Sequence, residues 1–209
     1  MLKSLRGVMG LLIGAFAWLA PVQTTLASEV HMSTPVLNDS VGSPDHGSSG
    51  PSAYDFSFPS INGDALKLSD YRGKVLLVVN TASQCGFTNQ YDDLQAVWQN
   101  YQGQGLVVIG VPSNDFGGQE PGSNAEIKDF CETNFSIDFP MTEKVGVVGD
   151  NAHPFYQWAR AELGQAARPR WNFHKYIVGR DGQLVDWFSS MTNPSSKKLR
   201  GSLEAALSR

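Results

Sequence analysis

Two Val-rich apolar runs, residues 75–79 and 106–111, leave this chain few choices. Neither run alternates with polar residues, so each suits a strand covered on both faces. Between them Tyr91, Leu94, Val97, Trp98 and Tyr101 recur at helical spacing. Strand, helix, strand in that order is a βαβ unit, and its crossover makes the two strands parallel.

The elements around this unit are legible too. Phe56, Phe58 and Ile61 precede Asn62-Gly63, a strong turn signal, and alternation resumes at residues 65–68, which predicts an N-terminal hairpin. Ser123 with Glu126 three residues on is a capping box, followed by an apolar stripe of Ile127, Phe130 and Cys131. Pro154 opens a third helix with Phe155, Trp158 and Ala159 inward, and Gly164 ends it. Residues 176–188 read as two strands around Gly179-Arg180-Asp181-Gly182. From about Ser195, Leu199, Leu203 and Leu207 share one helical face. The sum is an α/β chain with a central mixed sheet, helices on both faces and an N-terminal β-hairpin, a thioredoxin-like layout, although element order alone leaves several other α/β arrangements open.

The domain occupies residues 53–209, and what precedes it has a different character. Lys3 and Arg6 lead an apolar run from residue 8 to about 22, and Thr25-Leu26-Ala27 offers small residues for cleavage. This is the pattern of a secretory signal peptide over residues 1–27, too short for a membrane span. Export to the periplasm or outside the cell is the expectation, with no stable membrane insertion after cleavage. Residues 28–52 are rich in Ser, Pro, Gly and Asp and read as a flexible linker. His31 and His46 lie there and read as solvated side chains, so no metal or other cofactor is expected. Losing Lys3 and Arg6 takes the formal charge from −4 to −6. An acidic chain is a poor partner for nucleic acid, whose binding rests on cationic contacts to phosphate.

The chain has two cysteines, Cys85 and Cys131. In an oxidising compartment one structural bridge is the plainest reading, and it would suit a secreted binding module. The surroundings of Cys85 argue otherwise. It follows the first buried strand through Asn80-Thr81-Ala82-Ser83-Gln84 and precedes a helix by a few residues. Open α/β sheets gather their sites at that end of a strand, and a helix N-terminus favours an anion. A thiol there is drawn toward thiolate, the nucleophilic form. Thr88 stands where a Cys-x-x-Cys exchanger would carry its second cysteine. A lone thiolate suits attack on something small, with sulfenic acid as the product. A thiol–disulfide exchanger or a peroxide sensor remains an alternative within the same chemistry.

Three segments carry a specific resemblance. Asn80-Thr81-Ala82-Ser83-Gln84-Cys85-Gly86-Phe87-Thr88 resembles the active-site segment of glutathione peroxidases. Phe116-Gly117-Gly118-Gln119-Glu120-Pro121-Gly122 and Trp171-Asn172-Phe173 resemble that family's second and third signatures, in the same order. The resemblance implies a peroxidatic cysteine at Cys85, reducing hydrogen peroxide or organic hydroperoxides. It implies a catalytic set completed by Gln119, Trp171 and Asn172, whose N–H groups are donors suited to thiolate and to departing oxygen. Cysteine stands where the family's selenium members carry selenocysteine. The segment between Gly164 and Trp171 is short where oligomeric glutathione-using members have extra loops, so a monomer is expected. Cys131 sits on the helix where the thioredoxin-dependent members carry a resolving cysteine. The implied reductant is a thioredoxin-like protein, or glutathione.

Overall fold

The computed structural model describes residues 50–209. The signal-peptide reading and nearly all of the linker reading lie outside the described residues. Short strands β1 (Ser57–Pro59) and β2 (Ala65–Lys67) form the expected antiparallel hairpin. Strand β3 (Val75–Thr81), helix α1 (Gln90–Tyr101) and strand β4 (Leu106–Pro112) make the βαβ unit, with the strands parallel. Helices α2 (Asn124–Phe135) and α3 (Pro154–Leu163) follow. Strands β5 (Lys175–Val178) and β6 (Leu184–Phe188) and helix α4 (Lys197–Leu207) complete the chain.

The main sheet has the order β4-β3-β5-β6, with β3–β5 and β5–β6 antiparallel. The two inner strands explain the unbroken apolar runs: every residue of β3 and of β4 is buried. Alternation along β3 then divides the core. Val75, Leu77 and Val79 pack with residues of α1, α2 and α4, while Leu76 and Val78 pack with α3 and the hairpin. Each such side chain contributes about 1.5–3 kcal/mol when fully buried.

The helix signals act as read. Ser123 Oγ accepts from Glu126 N at 3.3 Å, and Ser123 N donates to Glu126 Oε2 at 2.7 Å, closing the capping box of α2. Phe155, Trp158 and Ala159 of α3 are buried, and Gly164 ends that helix at φ +80°. Leu199 and Leu203 of α4 are buried, and Leu207 is half-buried against the same cluster.

One buried charge stands out in the sheet. Lys175 is fully buried on β5, and Val79 is its partner in the ladder. Its ammonium donates to Gln90 Oε1 at 2.5 Å and to the Thr192 carbonyl at 2.7 Å. Gln90, the first residue of α1, in turn donates from Nε2 to the Ser190 carbonyl at 2.7 Å. The lysine therefore ties the start of α1 and the loop after β6 to the sheet. Burial pushes its pKa from the usual 10.5 down to about 7, against the charge of Asp93, which works to raise it. A depressed lysine pKa means that the unfolded chain holds a proton that the folded chain has released. Stability then rises with pH between about 7 and 10.5. Urea denaturation at pH 7 and pH 9 should show this rise in the native chain, and Lys175→Met should flatten it. An unchanged slope in the variant would contradict the assignment.

Candidate active site

The site is built at the end of β3. After Thr81 the chain leaves the sheet in a set of tight turns that carry Cys85 and lead into α1. Thr88 closes those turns. Its hydroxyl accepts from Cys85 N at 3.1 Å and donates to the Cys85 carbonyl at 2.6 Å. Cys85 is 8% exposed. Phe87 N–H donates to Cys85 Sγ at 3.4 Å, so a backbone donor just ahead of α1 already faces the sulfur.

The segment 116–122 is held against these turns. Gln84 N donates to the Gln119 carbonyl at 3.0 Å. Gly117 and Gly118 lie consecutively at φ +66° and +65°, a left-handed pair that side chains rarely tolerate. Glu120 turns inward and is 1% exposed. Its Oε2 accepts from Ser83 N at 2.9 Å, clamping the loop to the residue two before Cys85. Burial raises the carboxyl pKa, while the bonds from Ser83 and the charge of Lys144 pull it back. Lys144 Nζ secures the same loop by donating to the carbonyls of Glu120 at 3.0 Å and Gly122 at 2.7 Å.

The third segment is fixed by Asn80. Its Nδ2 donates to the Trp171 carbonyl at 3.2 Å, and its Oδ1 accepts from His174 N at 3.1 Å. Phe173 N also donates to the Asn80 carbonyl at 2.6 Å. Phe173 sits at φ +61°, a strained position for a bulky side chain. Its ring is fully buried and packs edge-on against Tyr91, with centroids 5.3 Å apart. Strain and anchoring together present Trp171 outward, 39% exposed, with its ring 5.9 Å from that of Phe116. Asn172 points inward and is fully buried.

Cys85, Gln119, Trp171 and Asn172 thus lie on three segments hydrogen-bonded to one another at one end of the sheet. Asn172 Nδ2 donates to Gln119 Oε1 at 2.9 Å, joining two members of the set directly. The described hydrogen bond on the sulfur comes from Phe87; the two side-chain amides are bonded to each other. Asn80, Thr88 and Glu120 were given no role by the sequence reading. A polar Asn closing an apolar strand was the one signal available for them.

A groove of about 450 Å³ runs beside the Cys85 turns, lined by Ser83, Gln84, Glu120, Ile127 and Phe130 among others. Cys131 lies on α2, fully buried and free, as Cys85 is free. Burial pushes the Cys131 thiol up to about 11, with a hydrogen bond from Tyr91 opposing and the charges of Glu120 and Glu132 adding to the rise. Both cysteines belong to one apolar cluster. A second cavity of about 370 Å³ opens between α2 and the hairpin, with Cys131 in its lining.

A free thiol at the carboxyl end of a central strand, on this sheet, defines a thiol-based oxidoreductase of thioredoxin-like fold. The fold is shared with a thiol:disulfide interchange protein of the thioredoxin family from Chlorobium tepidum, at a TM-score of 0.55 and 15% identity over 73% of this chain and 92% of that one. The family model for glutathione peroxidase matches residues 53–160. A glutathione peroxidase of Lactococcus lactis is 44% identical over 143 residues, 68% of this chain and 91% of that protein. The crystal structure of Trgpx in apo form superposes at a TM-score of 0.63 with 36% identity, covering 77% of this chain and 98% of that one. The chain belongs to the glutathione peroxidase family. It is a peroxidase that works through a peroxidatic cysteine.

Proposed function

We propose that Cys85 is the peroxidatic cysteine and that Gln119, Trp171 and Asn172 serve it, with Cys131 resolving the oxidised form. The carrying observation is the Cys85 thiol, free and slightly exposed, with a backbone N–H on its sulfur and the other two segments tied to its turns. In the first step the Cys85 thiolate attacks the nearer oxygen of a hydroperoxide. The O–O bond breaks, the thiolate is oxidised to sulfenic acid, and the far oxygen leaves as water or an alcohol after taking a proton. Donors from Trp171 and the two amides suit the charge on that departing oxygen. The substrate in this reading is hydrogen peroxide or an organic hydroperoxide.

In the second step the Cys131 sulfur displaces hydroxide from the Cys85 sulfenic acid, forming a disulfide and water. A dithiol donor, a thioredoxin-like protein in this reading, reduces that disulfide by two exchange steps and is itself oxidised. Glutathione is the alternative donor. A disulfide needs Cα atoms about 4.4–6.8 Å apart, and Cys131 starts inside the core. In this reading a local opening of helix α2 brings the Cys131 sulfur to Cys85. The lone cysteine at position 85, with Thr88 three residues on, favours peroxide reduction over general disulfide exchange. The positive charges of Lys3 and Arg6 and the apolar run after them support export, with cleavage after Ala27 and work in the periplasm or outside the cell; the short segment between Gly164 and Trp171 supports a monomer.

Two measurements test this. With a thioredoxin system, Cys131→Ser should lose continuous peroxide consumption, by about 100-fold or more, while a single peroxide equivalent still oxidises Cys85 at the native rate. Normal turnover of Cys131→Ser would exclude the two-cysteine cycle, and Cys85→Ser must be inactive in both assays. For export, N-terminal sequencing of the protein from an envelope extract should begin at Ser28; a chain retaining Met1 in the cytoplasm would overturn that reading.

A further inference from the structure

We infer that Lys175 is a positioning residue for the peroxidase site, holding the Cys85 turns through the first residue of α1, a role that rests on Cys85 being the peroxidatic residue. Direct partners in an antiparallel ladder place their side chains on one face of the sheet. Lys175 is paired with Val79, and Val79 packs in the cluster that holds Cys85. The lysine therefore projects on the side of the sheet where α1 begins, near the end of β3.

From Lys175 to the sulfur the contacts are continuous. Its Nζ donates to Gln90 Oε1 at 2.5 Å. Gln90 N donates to the Phe87 carbonyl at 2.9 Å, and Phe87 N donates to Cys85 Sγ at 3.4 Å. Tyr91 N donates to the Thr88 carbonyl at 3.1 Å, and the Thr88 hydroxyl bonds both the N–H and the carbonyl of Cys85. The start of α1 thus holds the two turn residues that touch Cys85. A glutamine side chain has free rotors, but both ends of this amide are taken, Oε1 by Lys175 and Nε2 by the Ser190 carbonyl at 2.7 Å.

The chemistry of the lysine suits placement rather than charge pairing. Its second bond goes to the Thr192 carbonyl at 2.7 Å. Asp93, whose charge reaches it, is engaged elsewhere, accepting from Asn193 Nδ2 at 2.5 Å and from Ser195 Oγ at 2.6 Å. His174, the neighbour that feels the charge of Lys175, is uncharged at neutral pH because burial holds its pKa near 4. Burying an amine is costly, and an apolar side chain would fill the same space more cheaply. With its pKa brought down to about 7, Lys175 loses its proton near neutrality, yet the uncharged amine keeps an N–H for each acceptor. The hold on Gln90 therefore persists in both forms. A shift of about 1 Å at a reacting group can cost about 100-fold in rate, so even partial release of the turns is visible in kinetics.

The test is a double-mutant cycle on the reduced protein, with Lys175→Met, Gln90→Leu and the two combined. Single-turnover oxidation of Cys85 by hydrogen peroxide should slow about tenfold in each single variant and no further in the double one, because the residues act in series. Gln90→Glu, which keeps an acceptor for the lysine, should stay near the native rate. The Phe87 amide resonance should move in Lys175→Met and in Gln90→Leu alike, a readout that needs no turnover. If native Cys85 proves inert to peroxide, the peroxidatic assignment fails, while the Phe87 amide still decides the linkage. If Lys175→Met does not fold, Gln90→Leu reads the same link from its other end. A native oxidation rate in either single variant, an unmoved Phe87 amide, or losses that multiply in the double variant would overturn the proposal.

Discussion

The peroxidase site depends on one side chain that does no chemistry. Asn80 is fully buried where β3 ends, and its amide uses both ends to hold the 171–174 turn. A buried amide satisfied on both sides is stabilising; with either partner lost it becomes a liability. The same residue begins the segment that carries Cys85 five positions later. Trp171 and Asn172 are therefore placed from the strand that also places the nucleophile. Strain at Phe173 is sustained because Asn80 holds its N–H and Tyr91 packs its ring. Glu120 performs the matching service for the Gln119 loop through Ser83.

The fold sets a condition on the proposed resolving role of Cys131. Cys131 is buried, its thiol is pushed up to about 11, and it sits on a helix with a well-formed capping box. Such a sulfur is protected from peroxide, and it is equally far from being a nucleophile. The other end of α2 is closed by a left-handed cap at Ser136, with Ser136 N bonding the Glu132 carbonyl at 3.1 Å. Ser136 ends the helix at φ +51°, where glycine is the usual residue, and Ile137 N bonds the Cys131 carbonyl at 3.3 Å. Local opening from this end would bring Cys131 out of the core and into water, where its thiolate forms more readily.

Much of the fold could be read because its signals were local. The strands β3 and β4 announced themselves as unbroken apolar runs, α2 by Ser123 and Glu126, and α3 by Pro154 and Gly164. Cys85 was marked by its own place after a buried strand and before a helix, while Gln119, Trp171 and Asn172 entered through the resemblance of three segments. What escaped was non-local. Nothing near Lys175 in the chain shows that its charge is buried against Gln90, 85 residues away. Nothing near Glu120 shows that its carboxylate turns in to meet Ser83. The left-handed Phe173 was invisible for the same reason, since strain of this kind is imposed by tertiary partners. The amide bond between Asn172 and Gln119 joins residues 53 apart and belongs to this class as well.

The most direct test of the central claim is the intact mass and free-thiol count of reduced protein before and after one equivalent of hydrogen peroxide. Attack at Cys85 followed by resolution at Cys131 predicts loss of two hydrogens and of both thiols, with the new bond mapped between the two cysteines. An unchanged mass with both thiols still free, after peroxide has had ample time to react, would contradict the assignment of Cys85 as the peroxidatic residue.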